Sequence, residues 1–236
     1  MSYLVSWSGG KDSCFACYKA ICKGYAISYL INFISKDLKK VSFHGIEAKL
    51  IQAQAKAISI PLLQKETTWS EYEQDFKNTV KSLTFSGIKG MIFGDIYIQE
   101  HKEWVERVCK ELGIEAIEPL WGKEPKKVLL EFINEGFEAI IVSVDSSLFD
   151  KEWVGQKIDK KFLKYLEENK IDFCGESGEY HTFVIDGPIF KERIKITKSN
   201  PVMLNNRWFL DILKYSLVSK SSRIYRAKFE NLTILG

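Results

Sequence analysis

Residues 8–13 read Ser8-Gly9-Gly10-Lys11-Asp12-Ser13 and lie between an apolar run, Tyr3 to Trp7, and a stretch of helical spacing from Asp12 or Ser13 to Lys23, which Gly24 is placed to end. The order is therefore strand, glycine turn, helix. Adjacent glycines let the backbone turn tightly and approach a ligand with no Cβ in the way. The helix that follows begins with unpaired N–H groups and the positive end of its dipole, a combination suited to phosphate. Ser8 and Ser13 offer hydroxyls and Lys11 a point charge. The spacing is neither G-x-x-x-x-G-K-[ST] nor G-x-G-x-x-G, which disfavours a Walker-type NTPase and a dinucleotide enzyme. A polar turn without a ligand is the competing reading, and the flanking strand and helix weigh against it.

Outward from the turn, short apolar runs alternate with longer amphipathic ones, the pattern of strand-helix-strand units in a parallel sheet. Strands are expected at Ala26 to Phe33, Pro61 to Gln64, Met91 to Phe93 and Ala116 to Leu120, with helices at Glu47 to Ile58, from Ser70 onward and at Glu100 to Leu112. Ser70-Glu71-Tyr72-Glu73 has capping-box spacing, and Phe76, Val80 and Leu83 continue one face behind it. Near Trp121-Gly122-Lys123-Glu124-Pro125 the pattern changes. A helix to Glu135 leads into Ala139 to Val144, the most continuous apolar strand of the chain. After Asn169 come strand signals at Phe183 to Ile185 and Arg193 to Thr197, then a hairpin turn at Asn205-Asn206, residue types that tolerate positive φ. The expected architecture is α/β: a five-stranded parallel sheet with helices on both faces over residues 1–122, and a smaller α+β substrate domain over residues 123–236.

Composition narrows the setting. The chain has 236 residues, with 34 Lys and Arg against 31 Asp and Glu, a net charge of +3 and 28% charged residues. That length can bury a sizeable core. So weak a charge argues against a phosphate-neutralising coat for nucleic acid. Five cysteines are too few for a disulfide scaffold and odd in number, so a reducing compartment is expected. Met1 to Val5 lacks the basic and apolar regions of a signal peptide, and no later run reaches the ~18 apolar residues of a membrane span. A cytoplasmic protein without membrane attachment is expected.

The Ser8 to Ser13 run resembles the PP-loop of the N-type ATP pyrophosphatase superfamily. That resemblance implies a parallel sheet between helices and cleavage of ATP between its α and β phosphates. A carboxylate or carbonyl oxygen is adenylated there, and a nitrogen or sulfur nucleophile displaces AMP. Further segments narrow the resemblance: His44-Gly45, Gly94-Asp95-Ile96 followed by His101, Glu118-Pro119-Leu120-Trp121, Trp153-Val154-Gly155 with Ile158-Asp159, and Gly175-Glu176-Ser177-Gly178-Glu179-Tyr180-His181-Thr182. These resemble the diphthine-ammonia ligase family from residue 4 to residue 190, with Ser177 where that family usually has glycine. The implied reaction is amidation of the diphthine carboxylate on elongation factor 2, with ATP and ammonium. Ser8, Gly9, Gly10, Lys11, Asp12, Ser13, His44 and Gly94 would then hold ATP, Asp12 would meet Mg²⁺ through water, and Asp95, Glu176, Glu179 and His181 would serve the chemistry. Too few residues remain for a glutamine-hydrolysing domain, so free ammonium is the expected nitrogen donor. Two rival readings stay open: a tRNA thiolation enzyme using Cys14 and Cys17, and an adenine-nucleotide sensor with no chemistry. The oligomeric state, a homodimer included, is also open.

The remaining candidates are weighed against packing. All three histidines, His44, His101 and His181, fall in the segments above, and no H-x-x-x-H pair or Cys-His cluster suggests zinc. Glu176 and Glu179 lie within five residues of His181, a grouping able to bind ammonium, take its proton or orient a cation. Cys14 and Cys17 share one face of the first helix, where packing is the expectation and a thiol of lowered pKa the alternative. Cys22, Cys109 and Cys174 are expected in the core, as are Trp69, Tyr72 and Phe76, while Trp121 and Trp153 are candidates to line a cleft. Arg223, Arg226 and Lys228 read as a solvated terminal segment.

Overall fold

The structure, a computed structural model, describes residues 2–36, 45–84 and 87–220. His44 and the basic residues Arg223, Arg226 and Lys228 lie outside the described residues.

Strands β1 (Ser2–Ser6), β2 (Ile27–Ser35), β3 (Leu62–Thr67), β4 (Ile88–Ile92) and β5 (Glu115–Ile117) form a parallel sheet in the order β3-β2-β1-β4-β5. Helices α1 (Lys11–Cys22), α2 (Ala48–Ile58), α3 (Tyr72–Thr84) and α4 (Gln99–Leu112) connect successive strands. Side chains alternate between the faces of a strand, and this alternation sorts the core into two layers. Val5, Leu30 and Ile92 pack in the cluster of α1 and α2, while their neighbours Leu4, Ile31 and Met91 pack in that of α3 and α4. Strand order reverses between β1 and β4, and a crevice forms beyond their carboxyl ends at such a switch point. The glycine turn follows β1 and Gly94-Asp95 follows β4, so both stand at this crevice.

The second sheet is antiparallel, β7-β6-β9-β8, built from β6 (Glu138–Asp145), β7 (Tyr180–Asp186), β8 (Glu192–Leu204) and β9 (Arg207–Ser219). Helices α5 (Pro125–Asn134) and α6 (Lys160–Glu168) accompany it. Proline opens α5, where its missing N–H has no helical partner to lose. Asp159 caps α6, accepting from the N–H groups of Lys161 and Phe162 at 2.9 and 3.0 Å. Residues 139–144 are buried because β6 is an inner strand, flanked by β7 and β9. Asn205 and Asn206 take φ of 48° and 59° and close the long hairpin, as their residue types predict. One core joins the halves: the Phe15 ring of α1 meets Phe132 and Phe137 edge-on, each at 5.8 Å between centroids.

Some expectations are corrected. Trp69 is 85% exposed, because α3 begins only at Tyr72 and leaves Trp69 in the turn before it. Tyr72 and Phe76 do pack, around Phe33 and Trp104. Glu73 does not spend its carboxylate on a capping box but takes Trp104 Nε1 at 2.8 Å, Arg107 at 2.7 and 2.9 Å and Lys77 at 2.6 Å. Cys22 is exposed: at 100° per residue it sits about 140° around α1 from Cys17. Cys14, Cys17, Cys109 and Cys174 are buried, and all five cysteines are free thiols. Among the described residues no helix is long and apolar enough to cross a membrane.

Candidate active site

Gly9 has φ of +83°, and a Cβ added there would stand 2.5 Å from Ile51 Cδ1 and 2.6 Å from Gln54 Oε1. Both the conformation and the packing demand glycine. Gly10 is extended at φ −81° and ψ 174°, and α1 starts at the next residue. The hydroxyls of Ser8 and Ser13 are 3.1 Å apart, Ser8 Oγ accepts the Gly10 N–H at 3.3 Å, and Ser13 Oγ donates to the Gly10 carbonyl at 3.2 Å. Gly94 serves the same turn from β4, since a Cβ on it would lie 2.8 Å from the Asp12 carbonyl carbon and from Ser13 N.

Lys11 runs away from the turn and into the second half of the molecule. Its buried ammonium donates to the Cys174 carbonyl and to Asp12 Oδ2, the latter at 2.7 Å, and stands 5.1 Å from the centre of the Tyr180 ring. Burial pulls its pKa down, but Asp12, Tyr180 and Cys174 together outweigh that and hold Lys11 well above its ordinary value. Burial also pushes the Asp12 carboxyl up; Lys11 opposes this, while Asp95 and Asp172 add to it. Asp95 and Asp172 thus stand within electrostatic reach of Asp12.

Opposite the turn, Asp172 Oδ2 accepts the N–H groups of Cys174 and Glu176, each at 3.1 Å, and Tyr180 Oη donates to the Phe173 carbonyl at 2.6 Å. The Glu176 carboxylate reaches across to the Ile96 N–H beyond β4 at 3.2 Å. Burial first, and Asp12 next, push its carboxyl up to about 7. Asp95 lies 3.2 Å from His101 Nδ1, and that contact raises the His101 pKa. Arg207, at the start of β9, donates to the Gly178 carbonyl at 2.8 Å and to Ser143 Oγ at 3.1 Å. Glu179 Oε2 is buried with no hydrogen-bond partner among the described residues, in the electrostatic reach of Arg207 and of Tyr97. His181 is half-buried in β7, registered opposite Ser143 of β6.

The fold therefore brings Ser8 to Ser13, Gly94, Asp95 and Glu176 together beyond the carboxyl ends of β1 and β4, with Glu179 and His181 on the adjoining turn and strand. Asp172, Arg207 and Gln54 were not singled out by the sequence. Gln54 left a signal, a polar residue at a core position of α2 between Ala53 and Ala55; Arg207 left none, because only the sheet pairing carries it to Gly178. Trp153 is half-buried and packs on Tyr165 and Phe162 at 4.5 and 5.3 Å, and Trp121 lies under the Lys102 ammonium at 4.6 Å. Cys14 and Cys17 are thiols, not thiolates: burial raises both, Cys17 to about 12.

The family profile described as "Diphthamide synthase N-terminal domain" matches residues 1–116, and "Diphthamide synthase C-terminal domain" matches residues 124–218. The chain is 28% identical over 224 residues to a Schizosaccharomyces pombe protein named diphthine–ammonia ligase, an alignment covering 86% of the chain but only 37% of that larger protein. It is 28% identical to the Rattus norvegicus and 27% to the Homo sapiens proteins of the same name, covering 83% of each partner in both alignments. A solved structure from Methanocaldococcus jannaschii, described as a predicted subunit of tRNA methyltransferase, superposes with a TM-score of 0.46 at 17% identity, over 79% of this chain and 98% of that one. Matched along both halves by the paired domain profiles, the chain belongs to the diphthamide synthase family.

Proposed function

We propose that this chain is an ATP-dependent ligase that amidates the diphthine carboxylate on elongation factor 2, giving diphthamide, AMP and pyrophosphate. The single observation that carries this reading is the apposition of a turn suited to phosphate with Glu176, whose buried carboxyl is tuned to about 7. The division of labour follows the two sheets, with residues 1–122 for the nucleotide and 123–236 for the acceptor.

A carboxylate is a poor electrophile. Its oxygen attacks the α-phosphorus of ATP, pyrophosphate leaves, and the acyl-adenylate then offers AMP as a good leaving group. Ammonium must first lose a proton to become a nucleophile, and the attacking nitrogen loses another as AMP departs. Glu176 is the base in this reading, since a carboxyl near 7 is charged and still basic at neutral pH. Glu179 and His181 border the acceptor, and Asp95 orients His101 at the same crevice. Ser8, Gly9, Gly10, Asp12 and Ser13 hold the phosphates at the start of α1, with Gly94 setting the turn and Lys11 anchoring it from beneath. His44 remains a proposed nucleotide contact.

Mg²⁺ fits this site. The Asp12 carboxylate stands at the start of α1 with Asp95 and Asp172 in electrostatic reach, and Mg²⁺ commonly takes one or two carboxylates and completes its octahedron with phosphate oxygens and water. Among the described residues no group of three His, Cys, Asp or Glu side chains forms a ready cage. When bound, the ion would neutralise charge on the departing pyrophosphate. Free ammonium as donor, elongation factor 2 as partner and a cytoplasmic setting complete the proposal. The buried, protonated thiols of Cys14 and Cys17 count against tRNA thiolation, and a base poised beside the phosphate turn counts against a sensor.

The test is mass spectrometry of diphthine-bearing elongation factor 2 incubated with this protein, ATP and ammonium. Acid-to-amide conversion with stoichiometric AMP is expected. ATP turnover without amidation would refute the acceptor and keep the nucleotide assignment.

A further inference from the structure

Gln54 is fully buried at a position that the period of α2 gives to the core, beside Leu50, Ile51 and Ile58. Packing alone asks for an apolar side chain there, and a buried amide is costly unless its hydrogen bonds are made. Three separate elements make them. Gln54 Oε1 accepts from Trp7 Nε1, just beyond β1, at 3.0 Å. Gln54 Nε2 donates to the Gly9 carbonyl at 2.9 Å and to the Val184 carbonyl of β7 at 2.7 Å. One amide group thus spends both of its hydrogens joining the phosphate turn to a strand of the other sheet. Two further bonds follow the same seam: Val184 N–H to the Gly9 carbonyl at 3.0 Å, and Lys11 N–H to Thr182 Oγ1 at 2.9 Å. β7 also carries His181 and continues the turn that bears Glu176 and Glu179.

We propose that Gln54 is a positioning residue: it locks the phosphate turn to β7, so that the nucleotide side and the acceptor side of the crevice keep one register. ATP affinity and ammonia transfer therefore depend together on a side chain that acts through Gly9 and Val184. This rests on the reading that the turn holds ATP and that the border of β7 faces the acceptor.

The full chain and its Gln54→Met and Gln54→Glu variants would be compared by calorimetric titration with ATP, thermal melting and steady-state amide formation. Methionine matches the length without the amide, and glutamate sets a carboxylate against two carbonyl oxygens. Gln54→Met is expected to bind ATP about tenfold more weakly and to lose about tenfold in kcat, the scale of an unpaired buried donor, with Gln54→Glu falling further on both. A folded Gln54→Met with ATP affinity and kcat within twofold of the parent overturns the proposal. So does weakened ATP binding with kcat intact, because β7 would then have no part. If Gln54→Met fails to fold, Thr182 tests the same seam: Thr182→Ser, which keeps the acceptor oxygen, should bind ATP about tenfold better than Thr182→Val, and equal affinities overturn the proposal. Titration with ATP reads the seam whether or not diphthine is the acceptor, so a failure of the amidation reading shows separately, as a parent chain that binds ATP and forms no amide.

Discussion

The glycine turn at 8–13 and the acidic turn at 172–180 lie side by side, joined by the bond of Lys11 to the Cys174 carbonyl, yet they are held by different means. The first is fixed by its own backbone: a left-handed Gly9, an extended Gly10, and a Gly9 carbonyl taken by Gln54 and Val184. The second is fixed by side chains, with Asp172 gathering its N–H groups, Tyr180 bonding the Phe173 carbonyl and Arg207 arriving from β9 to bond Gly178. The glycine turn has no room for a Cβ at Gly9 and is most sensitive at its own backbone. The acidic turn is sensitive at the side chains that bond it, Asp172 and Tyr180 within it and Arg207 from β9.

The harshest way to break this contrast is to put a Cβ into each turn. Gly9→Ala combines a φ of +83° with contacts of 2.5 and 2.6 Å, so a loss of about 3 kcal/mol and of measurable ATP binding is expected by urea denaturation and nucleotide titration. Gly178 has φ of +88° but, among the described residues, nothing within 4 Å of an added Cβ, so Gly178→Ala should cost only about 1 kcal/mol and spare ATP binding. Equal losses at the two positions would abolish the distinction.

Replacing Glu176 sharpens it. Glu176→Gln is expected to lower amide formation by roughly 10²-fold while ATP affinity holds, the scale of a lost general base. In the parent chain, amide formation should rise with pH through about 7 as Glu176 ionises. Stability should move the other way. Because folding raises this carboxyl, the folded state favours its protonated form; that contribution is full below the ordinary glutamate range and is lost as pH rises through about 7. Melting profiles against pH should flatten over that window in Glu176→Gln, and an unchanged slope would remove Glu176 as the group responsible.

These two turns also differ in how far their sequence could be read. Ser8 to Ser13 carries its meaning locally, because strand, glycines and helix N-terminus are consecutive, and the structure puts the turn at the switch point of the parallel sheet. Glu176 and Glu179 were legible as an acidic grouping, but not the burial that raises Glu176, which needs Asp12 and the loop beyond β4 beside it. Lys11 illustrates the limit: spacing placed it with the phosphates, and only the docking of the second sheet shows its ammonium turned to the Cys174 carbonyl. Trp69 failed for a local reason, since a helical period says nothing of where the helix starts.

Arg207 offers a subtler break. Arg207→Lys removes the planar fork that bonds Gly178 and Ser143 together, so the KM for the protein acceptor should rise about tenfold while ATP affinity stays within twofold. Weakened ATP binding in this variant would mean that the hold of Arg207 on Gly178 is passed on to the phosphate turn, through the bond of Lys11 to the Cys174 carbonyl.

The smallest effect on catalysis is expected beneath the glycine turn itself. Cys14 and Cys17 are fully buried on the inner face of α1, and their pKa values are raised by burial, so neither thiol is charged near neutral pH. They support the turn only by filling space. Replacing both with alanine removes two buried sulfurs and should lower stability by about 1–2 kcal/mol at each position, read by chemical denaturation. Because the turn takes its shape from Gly9, Gly10 and the bonds to Gly9, kcat and ATP affinity should remain within twofold of the parent at a temperature where both chains are folded. Loss of turnover in a folded double variant would give the thiols a chemical role and revive sulfur transfer as the reaction.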